Sequence, residues 1–503
     1  MPTRSRIRRL ASETAVYGVS SIVGRLINFL LFPYYSNAFA PDEYGPVIVL
    51  YAAFVFLNIV YQHGMESSYL KFASGQDSGA DGRSTVFTTA TLSVVMVMGV
   101  CTLLMLGFRS TFADLIGLDT RYLYLIGWAA GILALDALVI VPFADLRLRN
   151  RPWMFAGVRM VNIAVNVGLN IWLISGLGMG VEAILIANAA ASAVTLLLLL
   201  PFMAVRMAPA IDPGLWKSML AFGLPFVPGG LGYALTERIN IFFLERMPAD
   251  RVLAMYESMR TNTDLAERAA EHGPGVYTDF IVGAYGGIIK LAVLMALFVQ
   301  MFRYAWQPFF LQRQHDDDAP ELFGRVFLIL TAVLAGVFLA VSFLANDLVA
   351  VPLPGGRHLI APAYWMGLSI IPVALLGYFF QGWYYHFSSG AYIRNKTRYF
   401  LHATLAGSAV ALLVNALFVP MYGMMAAALA TSAAYATMAM VLLVLVRRHY
   451  QVAYGWMRTA ALVVSAGALF AVWEMVPAAD GMLPEIGLLV VFGAVAAMVL
   501  RGK

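Results

Sequence analysis

The chain alternates between long apolar runs and short polar connections. Fourteen of the runs contain about 20 residues with few or no charges, which is enough for a helix to cross a bilayer. They lie near residues 14–38, 44–70, 85–108, 121–143, 153–175, 180–204, 218–244, 276–302, 324–345, 361–386, 399–419, 424–446, 457–475 and 484–500. The pattern predicts an all-α polytopic membrane protein with fourteen transmembrane helices.

The distribution of positive charge orients these spans. Of the 33 lysines and arginines, twenty-two lie in the even-numbered connections and at the two termini, seven lie in the odd-numbered connections, and four lie within spans. Cytoplasmic segments retain lysine and arginine. We therefore predict that both termini are cytoplasmic and that the odd-numbered connections face outward.

Parts of the chain repeat. "GVEAILIANAAASA" begins at Gly180 and "GMMAAALATSAAYA" at Gly423, while "GRLINFLLF" and "ERINIFFLE" align Arg25 with Arg238. The segments of the first pair are farther apart in the sequence than those of the second pair. The difference is roughly the length of a charged outer loop at 245–275, which has no counterpart after the first span. Two parallel six-helix lobes, the second with an insertion, account for both offsets. Transporters with such repeats often place their substrate between the halves.

The repeat predicts four regions. An N-terminal six-helix lobe covers residues 1–206, and a cytoplasmic linker covers 207–217. A C-terminal six-helix lobe covers 218–448 and includes the outer loop, and an extra helix pair covers 449–503. The two lobes together form the predicted transport unit.

Composition narrows the class of protein. Hydrophobic residues make up 61% of the chain and charged residues 12%, and the mean hydropathy is +0.77. Soluble domains carry about a quarter charged residues, so a soluble protein is excluded. Cys101 is the only cysteine, which excludes an intrachain disulfide and a thiolate metal site. No phosphate-binding glycine loop, nucleophile elbow or HExxH motif is present, so we predict a transporter and not an enzyme, with no nucleic-acid partner.

The seventh span contains two prolines and two glycines close together, in "FGLPFVPGGLGYA" at 222–234. Proline removes a backbone donor and glycine loosens the helix, so the helix should break or kink there. We predict a hinge formed by Pro225, Pro228, Gly229 and Gly230, with a static kink that improves packing as the alternative.

Several segments resemble a known family. "YGVSSIVGRLINFLLFPYYSNAFAPDEYG" (17–45) and the following "HGMESSYLKFA" (63–73) are similar to the opening of bacterial polysaccharide and O-antigen flippases. These form the polysaccharide-transporter branch of the multidrug/oligosaccharidyl-lipid/polysaccharide exporter superfamily. "FGLPFVPG" (222–229) and "GAYGGIIKLAVLMALFVQMFRYAWQPFF" (283–310) look like that family's seventh and eighth helices. The resemblance extends over about residues 14–450.

The resemblance implies a MATE-like, V-shaped bundle that works by alternating access in the bacterial inner membrane. The implied substrate is an undecaprenyl-pyrophosphate-linked oligosaccharide, a repeat unit of lipopolysaccharide O-antigen or exopolysaccharide. The partners would then be this substrate, membrane lipids and the polysaccharide polymerase and chain-length machinery. Two rivals stay open: a cation-coupled multidrug antiporter of the same superfamily, and an O-antigen polymerase.

For such a substrate, the cations within spans are the candidate binding residues. A charge there costs about 3 kcal/mol on insertion scales, and arginine can donate two parallel hydrogen bonds to a phosphate. The four candidates for the pyrophosphate and glycan cavity are Arg25, Lys290, Arg238 and Arg159. The alternatives are internal ion pairs and, for Arg159, a side chain that reaches the membrane surface.

Three acidic residues within or near spans are candidates for coupling transport to an ion gradient. They are Asp136, Glu182 and Glu66, and they are equally available as ion-pair partners for the cations. Because the chain has no ATPase motif, we predict that a sodium ion or a proton, or downstream consumption of the substrate, drives transport. No other cofactor and no metal centre is predicted.

Overall fold

The computed structural model describes residues 29–74, 80–208, 211–476 and 482–501. These residues are nearly all helical, and twelve helical segments are long and apolar enough to cross a membrane. The protein is therefore a multi-pass membrane protein, and the predicted all-α class is confirmed.

The helices follow the predicted spans closely. The first part of the chain contains α1 (29–38), α2 (Pro41–Gln62), α3 (Met65–Ala73), α4 (Ala80–Gly107), α5 (Arg109–Ile116), α6 (Leu123–Leu138), α7 (Ile140–Leu148), α8 (Pro152–Ile171), α9 (Glu182–Ala204) and α10 (Pro213–Gly223). The second part contains α11 (Phe226–Glu245), α12 (Ala249–Met255), α13 (Glu257–Arg260), α14 (Thr263–His272), α15 (Gly275–Ile288), α16 (Val293–Arg313), α17 (Ala319–Ala350), α18 (Ile371–Ile393), α19 (Arg398–Val446), α20 (Trp456–Met475) and α21 (Met482–Arg501). Short 3₁₀ segments at Thr120–Tyr122, Ile289–Ala292 and Pro362–Ile370, and a π-helical segment at Trp172–Gly176, join or extend these helices.

The predicted count of fourteen spans stays a prediction. The span at 14–38 is described only from residue 29. The spans predicted at 399–419 and 424–446 run together as α19, but Gly423 has non-helical angles of φ 52° and ψ −127°, so two helices meet there.

The described chain groups into two compact units. Among the described residues, unit 1 comprises 29–31 together with Glu43–Ala234, and unit 2 comprises Phe32–Asp42 together with the chain from Leu235 onward. The chain crosses between the units inside α1, at the start of α2 and inside α11. This division falls within a helix, whereas the predicted lobes divide at 207–217 according to the repeat. The predicted domain boundaries therefore stay a prediction.

The first half of the seventh span belongs to unit 1 because α10 packs against α3 and α4. The Ser68 hydroxyl donates to the backbone oxygen of Met219 over 2.8 Å, and the Trp216 indole N–H donates to the Ser93 hydroxyl over 3.0 Å. At Gly223 an added Cβ would lie 2.6 Å from the Ser68 hydroxyl oxygen, which shows how closely the two helices approach.

The seventh span is broken at Leu224–Pro225, between α10 and α11. Pro225 therefore lies in the interruption. Pro228 lies in the first turn of α11. Backbone N–H groups in the first turn have no acceptor within the helix, so proline costs no helical hydrogen bond there. Gly229 and Gly230 continue that helix. Whether the break is a moving hinge stays a prediction.

Each unit has its own apolar core. In unit 1, Phe143, Phe155 and Phe202 belong to a buried cluster that joins α7, α8 and α9. In unit 2, α17, α18 and α19 bury a larger cluster that includes Phe327 and Tyr435. The C-terminal pair α20 and α21 packs on α17, with ring contacts such as Phe338 to Phe470 and Phe343 to Trp473.

The predicted outer loop at 245–275 is a folded insert made of α12, α13 and α14. Arg268 lies 2.9 Å from the carboxylate of Asp42, and the backbone N–H of Met424 donates to the Tyr256 hydroxyl over 2.9 Å. Burial raises the pKa of Tyr256. The insert therefore contacts α19 next to its break at Gly423.

A two-stranded antiparallel hairpin, Pro352–Leu353 with Arg357–His358, lies between α17 and the 3₁₀ segment before α18.

Candidate functional site

Unit 2 contains a polar cluster within its membrane-spanning helices, which we call the unit 2 cluster. It combines two cations, one carboxylate and neutral hydrogen-bonding groups. Its members are Glu237, Arg238 and Asn240 on α11, Tyr285 on α15, Lys290 in the following 3₁₀ segment, and Gln381 on α18. Two of the four predicted cavity cations thus belong to one group of side chains.

Lys290 is held over an aromatic ring. The span from Gly275 to Arg313 changes from α-helix to a 3₁₀ segment at Ile289–Ala292, and this segment carries Lys290. The Lys290 ammonium lies 4.8 Å from the centroid of the Phe32 ring, a favourable cation–π arrangement. Phe32 is fully buried and meets Tyr364 edge-on at 5.4 Å. The ring therefore defines the position of the lysine head group.

Arg238 supplies the second positive charge. Its side chain is exposed, and it lies on α11 two residues before Asn240, which bonds to Tyr285 on the helix that leads to Lys290. Two like charges near each other within a span raise the free energy of an unoccupied site, and an anion that meets both of them relieves the repulsion. This pair is suited to a ligand with two negatively charged groups.

The unit 2 cluster also contains a hydrogen-bond network. The Asn240 amide donates to the Tyr285 hydroxyl over 2.6 Å, and the Gln381 amide donates to the Tyr435 hydroxyl over 2.7 Å. The Gln381 amide also lies 3.5 Å from the Glu237 carboxylate. These contacts join α11 to α15, α18 and α19, so they fix the orientation of the helix that carries Arg238.

Unit 1 contains a second polar cluster, which we call the unit 1 cluster. It is formed by neutral and charged side chains from four helices. Its members are Tyr51 on α2, Asp136 on α6, Arg159 and Asn162 on α8, and Asn188, Ser192 and Thr195 on α9.

Hydrogen bonds order this unit 1 cluster. The Ser192 hydroxyl donates to the Asp136 carboxylate over 2.6 Å, and the Asn188 amide donates to the Tyr51 hydroxyl over 3.0 Å. The Asn162 amide donates to Thr195 over 2.9 Å.

Arg159 is exposed, and its guanidinium lies over two rings, 4.6 Å from the Phe143 centroid and 5.8 Å from that of Phe155. Asp136 on α6 carries the opposite charge. Among the described residues, however, no direct ion pair joins them.

The remaining predicted site residues have different surroundings. Arg25 lies outside the described residues. The Glu182 carboxylate accepts the backbone N–H of Gly180 over 3.0 Å in the first turn of α9, an arrangement that stabilises a helix start. Glu66 forms an ion pair with Arg147. Both contacts explain these acids structurally, and their role in ion coupling stays a prediction.

The sequence reasoning missed a buried ionic network near the predicted cytoplasmic end of unit 1. Asp145, which is 1% exposed, accepts hydrogen bonds from Arg149 at 2.8 Å and from the Tyr69 hydroxyl at 2.7 Å, and it lies 2.7 Å from Arg206. Burial lowers the pKa of Arg206, and the Asp145 carboxylate opposes that shift. A signal was present in the sequence, since Asp145 is an acid directly after the predicted span at 121–143, next to Arg147, Arg149 and Arg151.

The apolar helical segments and the two in-span polar clusters define a class, namely an all-helical, multi-pass membrane protein. Three solved structures share this fold. "Lipid II flippase MurJ, inward closed conformation" is 13% identical, with a TM-score of 0.66 over 97% of this chain and 98% of that chain. An inward-facing multidrug resistance MATE family transporter of the MOP superfamily is 14% identical, with a TM-score of 0.56 over 88% and 96%. A MOP superfamily transporter from Pyrococcus furiosus is 14% identical, with a TM-score of 0.51 over 89% and 96%.

At these identities the likeness shows the fold alone, and it confirms the predicted MATE-like fold. Residues 10–268, just over half of the chain, match the family described as polysaccharide biosynthesis protein. The chain therefore belongs to that family, and the resemblance noted in the sequence is confirmed. A comparison with curated proteins gives no match.

Proposed function

We propose that this protein is a flippase for undecaprenyl-pyrophosphate-linked oligosaccharide in the bacterial inner membrane. It would carry a repeat unit of a surface polysaccharide, such as O-antigen, from the cytoplasmic to the outer leaflet by alternating access. Family membership supports a role in polysaccharide biosynthesis. The fold is shared with a lipid II flippase, a protein whose printed name gives a lipid-linked substrate.

The observation that carries the proposal is the presence of two cations in the spans of unit 2, Arg238 on α11 and Lys290 over the Phe32 ring. A pyrophosphate has two adjacent anionic groups, and charge-assisted hydrogen bonds to phosphate oxygens are among the strongest in proteins. Such a pair also repels a cationic drug, which weighs against the multidrug antiporter. Arg159 and Arg25, the other two predicted cations, stay predicted contacts for the anionic head group.

The partners and orientation follow from this proposal. Both termini would be cytoplasmic, and the outer insert at 245–275 would face the side on which the glycan is released. The released substrate would pass to a polymerase and its chain-length machinery. The long lipid tails would remain among membrane lipids, since only the polar head group needs a polar route.

A leaflet-accessibility assay tests the proposed function. Proteoliposomes carrying a fluorescent lipid-linked oligosaccharide are treated with a membrane-impermeant quencher, and the protected fraction is followed over time. We expect the wild type to exchange the label between leaflets faster than protein-free vesicles. Lys290→Gln and Arg238→Gln should each slow the exchange about tenfold or more, because each loses a charge-assisted contact of roughly 1.5–3 kcal/mol.

Two controls make the assay specific. Arg357→Gln removes an exposed cation from the β hairpin, and it should exchange the label at the wild-type rate. Lys290→Arg keeps the charge and should recover part of the lost rate. Wild-type exchange by both the Lys290→Gln and the Arg238→Gln variants would disprove the anion site, and no exchange by the wild type would disprove the flippase itself.

A further inference from the structure

The ring beneath Lys290 belongs to a short segment, residues 32–42, that is grouped with unit 2. The described residues on either side of this segment, 29–31 and Glu43–Ala234, are grouped with unit 1. The segment contains the end of α1 and the beginning of α2. The place of Phe32 is therefore decided by the contacts that this segment makes within unit 2.

Two hydrogen bonds hold the segment beyond Phe32. The Tyr364 hydroxyl donates to the backbone oxygen of Phe39 over 3.0 Å, and the Asn37 amide donates to that of His358 over 2.9 Å. Tyr364 lies in the 3₁₀ segment before α18, and His358 lies in the β hairpin. The backbone that carries Phe32 is thus fixed by parts of unit 2 that are distant in sequence.

Gly287 leaves room for the Phe32 ring. It lies on α15, one turn before Lys290, and an added Cβ there would lie 2.7 Å from Cε2 of Phe32 and 2.9 Å from Cδ1 of Tyr364. Nonbonded carbon atoms are most stable at about 3.5–4.0 Å, so such a Cβ would overlap both rings. Phe32 is fully buried, so its ring cannot give way unless other side chains move. Any residue larger than glycine at 287 would therefore displace the ring.

Tyr364 is a second neighbour of the Phe32 ring. The two rings meet edge-on, with their centroids 5.4 Å apart and an interplanar angle of 86°, which is a favourable arrangement for aromatic rings. The Tyr364 side chain is itself fully buried, and its hydroxyl is bonded to Phe39. Tyr364 therefore keeps the edge of the Phe32 ring in place.

Lys290 depends on that ring for its own position. Its ammonium lies 4.8 Å from the centroid of Phe32, while the residue is only half-buried and so within reach of an anion. A lysine side chain has many rotamers, and an anion that binds a freely moving head group must restrict that freedom. A head group that is already held over a ring loses less freedom when the anion binds.

We propose that Gly287 and Tyr364 are positioning residues of the anion site at Lys290. Neither contacts the anion in this proposal. Gly287 admits the ring, Tyr364 holds its edge, and the ring holds the ammonium where an anion meets it. This inference rests on the proposed function, because it takes Lys290 as a contact for an anionic head group.

The test uses inorganic sulfate, a doubly charged anion, and the full-length protein in detergent micelles. Calorimetry gives both the dissociation constant and the stoichiometry, so a loss of affinity is separated from a loss of folded protein. Gly287→Ala should raise the dissociation constant about fivefold at unchanged stoichiometry, since it displaces the ring under Lys290. An unchanged dissociation constant would overturn the role of Gly287.

A double-mutant cycle shows whether Gly287 acts through the ring. Leucine at position 32 lacks the ring atoms that a Cβ at 287 would overlap. In the Phe32→Leu background, Gly287→Ala should therefore change the dissociation constant less than about twofold. Losses that simply add would mean that Gly287 acts by another route, and they would overturn the inference.

Tyr364 is tested by a conservative and a disruptive replacement. Tyr364→Phe keeps the ring that meets Phe32 and should bind sulfate within about twofold of the wild type, although it loses the hydrogen bond to Phe39. Tyr364→Leu removes the ring and should bind sulfate about threefold more weakly. Equal affinities for these two variants would overturn the role of Tyr364. Neither replacement adds volume next to Phe32, so the pair decides the inference if Gly287→Ala leaves too little folded protein.

Gly407→Ala is the matched control. Gly407 lies on α19, and an added Cβ would overlap the Met438 side chain, at 3.0 Å from its Sδ and closer to its Cγ. The replacement thus introduces strain in unit 2 against a side chain other than Phe32 or Tyr364. It should lower the free energy of unfolding and leave the dissociation constant for sulfate unchanged. A loss of affinity as large as that of Gly287→Ala would show that strain in general weakens the site, and it would overturn the positioning role.

The outcomes also separate this inference from the proposed function. Sulfate binding that is weakened by Gly287→Ala, in a protein that does not exchange lipid-linked glycan, would leave the positioning role standing and disprove the flippase. Glycan exchange by a protein whose sulfate binding is unaffected by replacement of Gly287 and Tyr364 would do the reverse.

Discussion

Replacement of Asp145 should destabilise unit 1 more than replacement of any acid with exposed partners. Its carboxylate is 1% exposed and joins Tyr69 on α3 with Arg149 and with Arg206 beyond the end of α9. Removing one partner from a buried ion pair costs about 3–5 kcal/mol, because the other charge is left without compensation. Asp145→Ala should therefore lower the free energy of unfolding by an amount in this range.

The exposures of the partners refine the estimate. The Arg149 side chain is 35% exposed and can recover hydration, whereas Arg206 is only 13% exposed and cannot. We therefore expect a loss near the lower end, about 3 kcal/mol. Asp145→Asn keeps an acceptor for the Tyr69 hydroxyl, so it should retain about 1 kcal/mol relative to Asp145→Ala.

The assay is reversible unfolding in mixed micelles, followed by tryptophan fluorescence as the denaturing detergent is increased. Glu66→Gln is the matched control, since it breaks the ion pair with Arg147 in which both side chains are more than one-third exposed. That pair should be worth less than about 1 kcal/mol. Equal losses for Asp145→Asn and Glu66→Gln would refute the reasoning that burial sets the energy of this network.

Three further predictions concern the insert at 245–275 and the cation sites. Gly423→Ala should lower the free energy of unfolding by about 1–3 kcal/mol, and thermal unfolding measures it. The reason is that φ 52° with ψ −127° suits glycine and that an added Cβ would meet the Tyr256 hydroxyl. Phe32→Leu should weaken anion binding about fivefold by removing the ring under Lys290, and binding of sulfate measures it. Arg25→Ala should abolish export of surface glycan while the protein accumulates normally, and Arg25→Lys should be partly active.

Each of these has its own control. Gly467→Ala, in an open position on α20, should not lower the thermal stability. Phe32→Tyr keeps a ring and should preserve sulfate affinity, so an equal loss in Phe32→Tyr and Phe32→Leu would argue against the cation–π contact. Wild-type export by Arg25→Ala would rule out its contact with the head group.

Much of the fold was predictable because membrane insertion imposes a strong local rule. A span must satisfy its backbone hydrogen bonds internally and avoid charge over about 20 residues, so the apolar runs mark helices, although several helices extend beyond the run, as α16 does to Arg313. The run predicted at 180–204 is the helix Glu182–Ala204, and that at 457–475 is Trp456–Met475. The break in the seventh span was also visible locally, from Pro225.

The candidate sites were predictable as residue types and not as groups. A cation in an apolar run stands out, which identified Lys290 and Arg159. Nothing local indicates that Lys290 lies over Phe32, more than 250 residues away in the chain, or that Asp136 is bonded to Ser192. Glu182 shows the opposite case. It is a conspicuous acid near a span, but its carboxylate accepts a hydrogen bond from the backbone N–H of Gly180.

By itself, the sequence determined which segments enter the bilayer, where one of them is interrupted and which charges would need an explanation there. These properties depend on neighbours along the chain, through hydropathy and the conformational limits of proline. The tertiary structure alone decided which charges meet. Electrostatic energy depends on distance in space and on exposure. Asp145 and Arg206, and likewise Arg238 and Lys290, therefore belong to one site only when separate helices are packed together.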